Sequence, residues 1–145
     1  MLRLWIVLFA LIAELSPAKS PGDLSLTVVA EGFRNDRGKA VVMLYDRPGT
    51  IPDKGLKRYA KRLTVPISHG RAIARFRHLA PGRYAVSLFH DENGNGIIDK
   101  GLMLPREGVG LSKFKSVNLF HPPSFEAASF ELKSSRKIPI RLIYF

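Results

Sequence analysis

The sequence predicts an all-β fold, an antiparallel β-sandwich of about seven short strands, with a small barrel as the alternative. Three observations favour strands over helices. Short apolar runs repeat with the two-residue period of half-buried strands. Ten prolines and 12 glycines in 145 residues supply the tight turns that join such strands. A hydrophobic content of 46% is enough for one packed core, so we expect a single domain.

Each predicted strand is marked by apolar side chains at every second position. In residues 71–78, for example, three arginines occupy one face, and two alanines and a phenylalanine occupy the other. The turn-like residues 68–70 suggest a hairpin, and Pro139 restricts the last strand to a sheet edge or to the beginning of a strand. The expected strands cover residues 24–29, 40–46, 62–67, 71–78, 83–90, 128–132 and 138–144.

Two segments interrupt this plan. Residues 53–63 carry apolar side chains at helical spacing, with basic residues between them, which predicts one or two helical turns. Residues 100–126 show no sustained period, and turn signals outnumber strand signals there. A connection of that length in a compact domain is usually functional or disordered.

The amino terminus has the three-part layout of a secretory signal peptide. A basic start precedes an apolar run at residues 4–13, and Ser16 and Ala18 place small residues before a cleavage point. A membrane anchor is the alternative, but the run is about half of the roughly 20 residues that a spanning helix needs. We expect residues 1–18 to be a signal peptide and residues 19–145 to be the β-sandwich domain, located in the periplasm or secreted.

The charge of the chain favours anionic partners. Lys and Arg number 23 against 12 Asp and Glu, a formal net charge of +11, and basic residues concentrate between positions 54 and 77. A basic face attracts phosphates and anionic surfaces, so we expect anionic envelope polymers or lipid headgroups as partners. Nucleic acid is not expected, because the protein is predicted to be exported and lacks an aromatic stacking motif. The alternative is a solvated surface that serves solubility. We expect a monomer with no transmembrane segment after signal cleavage.

The richest local pattern lies in residues 90–99, His-Asp-Glu-Asn-Gly-Asn-Gly-Ile-Ile-Asp. Oxygen-bearing side chains alternate and a glycine follows them, which is the order of a Ca²⁺-binding loop. Leu102 stands where an EF-hand loop has glutamate, so the affinity should be weak unless Glu107 or another distant residue folds in. The alternative is a β-turn in which Asp and Asn side chains bind backbone amides. The predicted cation ligands are Asp91, Asn93, Asn95, Asp99 and, through its backbone carbonyl, Ile97.

Three ordered sequence blocks carry a family resemblance. The first is LAPGRYAV at residues 79–86, which runs into HDENGNG at 90–96. PREGVGLS at 105–112 and PPSFEAA at 122–128 are the other two. These blocks resemble the bacterial family called domain of unknown function 2141. The resemblance implies an exported β-sandwich, immunoglobulin-like or transthyretin-like, of unassigned activity. Leu111 departs from the family, which tends to have an aromatic residue there.

The sequence contains no convincing catalytic motif. Ser112 and Lys115 have Ser-x-x-Lys spacing, but the Lys-Thr-Gly and Ser-Asp-Asn elements that accompany it are missing. The four histidines lack metal-binding spacing and are expected to cap turns or lie half exposed. We therefore predict a non-enzymatic binding or structural module of the bacterial envelope. The alternative is a carbohydrate-active enzyme or accessory domain that uses Asp91, Asp99 and Glu107 as acids beside a groove of exposed aromatic residues.

Overall fold

The computed structural model describes residues 22–99, 105–116 and 122–145, so the predicted signal peptide lies outside the described residues. Strands dominate the described chain, as the alternation predicts. In chain order the elements are β1 (Leu24–Glu31), β2 (Lys39–Tyr45), β3 (Lys61–Val65), β4 (Arg71–Leu79), β5 (Gly82–Asp91), β6 (Val109–Leu111), α1 (Phe125–Ala128), β7 (Phe130–Leu132) and β8 (Arg136–Arg141). No helix in these parts of the chain is long and apolar enough to cross a membrane.

The strands form two sheets, which confirms the predicted all-β sandwich. A three-stranded sheet has the order β4-β1-β8, and a five-stranded sheet has the order β3-β2-β5-β6, with β7 also pairing with β5. The pairing is antiparallel except between β1 and β8, which run parallel. Strand β8 lies at a sheet edge, the position expected from Pro139, because proline has no N–H to donate to a second neighbour.

Alternation decides which face of each strand is buried. Every second residue of β1 is buried from Leu24 to Ala30, and these side chains meet the inward faces of β4 and β5 in the main core between the sheets. Strand β2 is buried at all positions after Lys39. Its other face joins a second apolar cluster that includes Phe89 and Phe125, on the outer side of the five-stranded sheet. The five-stranded sheet is therefore covered on both faces, whereas the three-stranded sheet presents one face to solvent.

The predicted helical turns in residues 53–63 are wrong. The Asp53 carboxylate accepts the backbone N–H groups of Lys57, at 3.1 Å, and of Arg58, at 2.8 Å, and so holds the segment as a turn. Leu56 has a positive φ of 50°, which a helix does not allow. Competition from a short acidic side chain for backbone donors is the usual reason that such a pattern fails as a helix.

The predicted hairpin around residues 68–70 is also wrong, although the turn exists. Ser68 forms a bridge with Arg71, but β3 pairs with β2 while β4 pairs with β1. The turn therefore carries the chain from one sheet to the other. A period-two pattern marks a strand and its buried face, but it does not name the neighbouring strand, so the crossing was not predictable from alternation.

Residues 105–116 and 122–128 hold more regular structure than the sequence predicted. Strand β6 has three residues and extends the sheet beside β5. Helix α1 has four residues, and the Ser124 side chain caps it by accepting the N–H of Ala127 at 3.1 Å. Because Ala128 ends this helix, the strand predicted over residues 128–132 is limited to residues 130–132.

Candidate functional site

The candidate site is the loop that follows β5, residues 91–99, together with Glu107; we call it the loop site. Asp91 is the last residue of β5 and is 3% exposed. Its carboxylate accepts two backbone N–H groups, from Asn95 at 3.1 Å and from Gly96 at 2.8 Å. Gly94 and Gly96 have positive φ values of 71° and 76°, which the tight turn around this carboxylate requires.

The two asparagines link the backbone of the loop to its second carboxylate. Their side-chain oxygens accept N–H groups, Asn93 from Asn95 at 3.2 Å and Asn95 from Ile97 at 3.1 Å. Their side-chain nitrogens donate to Asp99 at 2.6 and 2.9 Å. These hydrogen bonds, with the Asn95 bond first, hold the pKa of Asp99 below its usual range. Arg62 of β3 ties the loop down by donating to the Gly96 carbonyl at 3.0 Å.

Glu107 completes the loop site from outside the loop. Its carboxylate accepts the N–H of Glu92 and the N–H of Asp99, each at 3.2 Å, and the residue is 4% exposed. Asp99 lies near enough for its charge to act on the Glu107 carboxyl group. Burial, assisted by the charge of Asp99, raises the pKa of Glu107 to about 7. Asp99 is therefore the more acidic member of the pair, and Glu107 takes up a proton as the pH falls through about 7.

A cavity of about 400 Å³ opens beside these carboxyl groups and contains both signs of charge. Arg34 donates to both Glu92 oxygens, with its Nη2 at 2.9 Å from Oε2, and this contact lowers the pKa of Glu92. The guanidinium of Arg34 also lies over the ring of Tyr144, at 4.9 Å from its centre. The lining residues are Arg34, Glu92, Asn93, Asp99, Arg106 and Glu107, and none of these described residues is aromatic.

The structure thus brings the predicted ligands together and adds Glu107, but it engages most of their oxygens with protein donors. Ile97 is 57% exposed at the tip of the loop, where its N–H binds the Asn95 side chain. Within residues 22–99, 105–116 and 122–145, no group of three or more His, Asp or Glu side chains is arranged to hold a metal ion. Asp91 and the asparagines carry out the turn chemistry that was the alternative to cation binding.

His90 is a residue whose place the sequence reasoning missed. We expected a turn cap or a half-exposed side chain, whereas His90 is fully buried. Its Nε2 is 2.6 Å from the Arg37 carbonyl, which only accepts, so Nε2 carries the proton. The Nδ1 atom lies 2.9 Å from the Tyr144 hydroxyl. The alternation of β5 predicts this burial, because His90 lies on the same inward face as Tyr84, Val86 and Leu88.

Ser112, the serine of the Ser-x-x-Lys spacing, has a structural role. Ser112 is 2% exposed; its hydroxyl donates to the Ala128 carbonyl at 2.7 Å and accepts the Val86 N–H at 3.0 Å. The hydroxyl therefore ties α1 to β5. Lys113, the next residue, donates to the Ser129 carbonyl at 3.3 Å.

The basic residues between positions 54 and 77 do not form one surface. Lys54 lies beside Met43 and Tyr45 on the outer side of the five-stranded sheet. Arg71 and Arg75 project instead from the solvent face of the three-stranded sheet, because the buried residues of β4 alternate with them. The expected broad face is therefore divided between opposite sides of the sandwich.

The fold and the loop site define the chain as a small all-β sandwich with an oxygen-rich loop at one strand end. It belongs to the bacterial family described as "Uncharacterized protein conserved in bacteria (DUF2141)", which matches residues 28–139 and confirms the expected resemblance. No curated protein and no solved structure matches the chain. The three sequence blocks that carry the resemblance meet in space, since they supply β5 and its loop, Glu107 with β6, and α1.

Proposed function

We propose that the protein is an exported, non-enzymatic β-sandwich module of the bacterial envelope whose loop site binds Ca²⁺ weakly. The observation that carries the proposal is that Asp99 and Glu107 line the same polar cavity, where the Glu107 carboxylate accepts the Asp99 N–H at 3.2 Å. Ionisation of both of two neighbouring carboxyl groups costs free energy unless a cation lies between them. A hard divalent cation is the simplest partner for such a pair.

The ligand set supports calcium in particular. Calcium takes six to eight oxygens at about 2.3–2.6 Å and tolerates irregular geometry. Asp91, Asn93, Asn95 and Asp99 come from one loop, and Glu107 replaces the acid that is missing at the end of the loop. To present its oxygen toward Asp99, each asparagine must rotate its carboxamide by half a turn and release the backbone N–H that the oxygen now accepts.

The expected affinity is low because protein donors compete for the same oxygens. Asp91 and Glu107 already accept backbone N–H groups, and Asp99 accepts the two asparagine side chains. Arg34 and Arg106 add positive charge to the cavity. We expect a dissociation constant on the order of 10⁻⁴–10⁻³ M, the range of extracellular calcium modules. A cation that is bound at this strength would fasten the loop to Glu107 without serving as a regulatory sensor.

The carbohydrate-active alternative has less support. A glycoside hydrolase needs one carboxyl group to protonate the leaving oxygen and a second to act as nucleophile or base. Both Glu107 oxygens instead accept backbone N–H groups, and both Asp99 oxygens accept asparagine side chains. The described residues of the cavity also lack the aromatic side chains on which a sugar ring would stack.

Calcium binding is tested by thermal unfolding of the wild type and three variants, with and without millimolar Ca²⁺. A ligand that binds only the native state stabilises it by about 1.4 kcal/mol at ten times its dissociation constant. The wild type should gain stability, and D99N and E107Q should lose the gain. E131Q is the matched control, because it removes one carboxylate on β7, away from the loop. A wild type without a calcium-dependent shift would establish the turn interpretation.

Export is tested separately on protein recovered from the producing cell. Cleavage after Ala18 predicts a mature chain that begins at Lys19, and the intact mass of the envelope fraction measures it. Recovery of the uncleaved chain in the cytoplasm would contradict the envelope assignment.

A further inference from the structure

The solvent face of the three-stranded sheet carries two rows of basic side chains, set by strand register. In each row, one basic residue of β4 and one of β8 flank a residue of the central strand β1. The rows are Arg75–Thr27–Lys137 and Arg71–Glu31–Arg141. Glu31 is the only acid among the outward positions of these strands, all of which the structure describes, and Arg71 neutralises it at 2.7 Å.

An apolar row lies between the two basic rows. Val29 of β1 pairs with Ile73 on one side and with Pro139 on the other. Ile73 is 64% exposed, the most exposed large hydrophobic side chain of the described chain. Ile73 lies outside the core, because its strand neighbours Ala72 and Ala74 supply the core contacts of this part of β4. We call these three rows together the basic face.

We propose that the basic face docks on a bilayer surface that contains anionic phospholipids. The basic rows would contact headgroup phosphates, and Ile73 would enter the interface between them. Charge complementarity selects an anionic partner, and the apolar row selects a bilayer over a soluble polyanion, which offers no apolar layer to Ile73. This inference rests on the proposed function only in that an envelope protein meets such membranes; it does not require calcium.

The experiment is cosedimentation of the full chain with vesicles, in EDTA so that the loop site has no part in the result. Vesicles of phosphatidylcholine are compared with vesicles that contain about one third phosphatidylglycerol, at an ionic strength near 0.15 M. The wild type should bind the anionic vesicles and should not bind the phosphatidylcholine vesicles. Binding should fall steeply with added salt, because exposed charges are screened.

Three variants locate the contact. R75S/K137S should bind about 25-fold more weakly, since each basic side chain near an anionic surface contributes about fivefold. I73S keeps the charge and should bind about fivefold more weakly, through loss of apolar contact. K54S/K57S removes the same charge as the first variant from the segment between β2 and β3 of the five-stranded sheet, and should bind within about twofold of the wild type. All five side chains are exposed, so the variants should fold, and circular dichroism monitors this.

Each other outcome overturns the proposal. Equal losses in R75S/K137S and K54S/K57S would mean that binding follows net charge and not this face. Loss in R75S/K137S with wild-type binding by I73S would mean a polyanion site that does not engage the bilayer interior. Absence of wild-type binding to anionic vesicles would exclude membrane docking, and it would leave the calcium response of the loop site unaffected.

Discussion

The loop site and the basic face are both rich in charge, but they use it in opposite ways. In the loop site, Asp91 and Glu107 are 3% and 4% exposed, and each accepts two backbone N–H groups. On the basic face, Arg75 and Lys137 project into solvent from strands whose other side chains form the core. Charge in the loop site therefore holds the fold together, whereas charge on the basic face is available to a partner. Substitutions in the two regions should separate these roles.

The largest effect is expected from a glycine that the loop site packs against. A Cβ at Gly38 would lie 1.9 Å from the Asp91 carbonyl oxygen, and Gly38 has a positive φ of 70°. G38A should therefore displace the end of β5 and cost about 3 kcal/mol or more of unfolding free energy. G49A is the matched control, because Gly49 has a φ of 76° but no atom within 4 Å of its Cβ position. Urea denaturation measures both, and equal losses would contradict close packing at Asp91.

Removal of one carboxylate or one guanidinium compares the two regions directly. D91A removes the buried carboxylate that accepts two backbone N–H groups of the loop and should cost about 2 kcal/mol. R75S on the basic face should change stability by less than about 0.5 kcal/mol, since its side chain is exposed. Both values come from urea denaturation without calcium. A D91A variant as stable as R75S would mean that the loop does not depend on its acid.

The loop site should make stability fall as pH rises, the opposite of the usual effect of a carboxyl group. The pKa of Glu107 is about 7 in the folded protein, above its ordinary value of 4.5, so the folded state binds more protons between these values. Without calcium, stability should therefore fall as pH rises through this window, by about 1–2 kcal/mol. Asp99 and Glu92 titrate below it, because their pKa values are lowered, and Arg34 stays charged because its pKa is raised.

The control for this prediction is E107Q, which removes the titrating group and keeps its shape. Thermal unfolding between pH 5 and 7.5 should be flatter in E107Q than in the wild type. The same dependence of stability on pH in the two proteins would mean that Glu107 does not titrate in this window.

The smallest effect tests whether the two regions are independent. R75S/K137S should keep the full calcium-dependent gain in stability, because Arg75 and Lys137 belong to the three-stranded sheet whereas the loop follows β5 of the five-stranded sheet. Distant sites add within about 0.5 kcal/mol. Calorimetric scans with and without Ca²⁺ check this, and a larger deviation would mean that the sheet transmits strain between them.

The basic face was the easier region to predict. Alternation in residues 71–78 placed the arginines on one face and Phe76 on the other, as the structure has them, because a strand fixes side-chain direction by period alone. The loop was also found from its spacing of Asp and Asn. Burial of Glu107 was not predictable in the same way, since it depends on how a segment 15 residues beyond Glu92 returns to the loop.

Errors occurred where tertiary contacts outweighed local pattern. Strand β6 has three residues, which are too few to show an alternating pattern, and it forms by pairing with β5. The turn at residues 53–60 follows from Asp53 bonding to backbone N–H groups in place of a helical ladder. His90 is buried, although histidine side chains are often exposed, because its position on β5 assigns it to the inward face.

Equilibrium dialysis against about 1 mM Ca²⁺ tests the central claim most directly, because it counts bound ions without reference to stability. At the expected affinity, the wild type should hold between about 0.5 and 0.9 Ca²⁺ per chain. D99N should hold less than about 0.1, and the E131Q control should match the wild type. A wild type that retains no more calcium than D99N would contradict the account, and the loop site would then be a turn that its own side chains hold together.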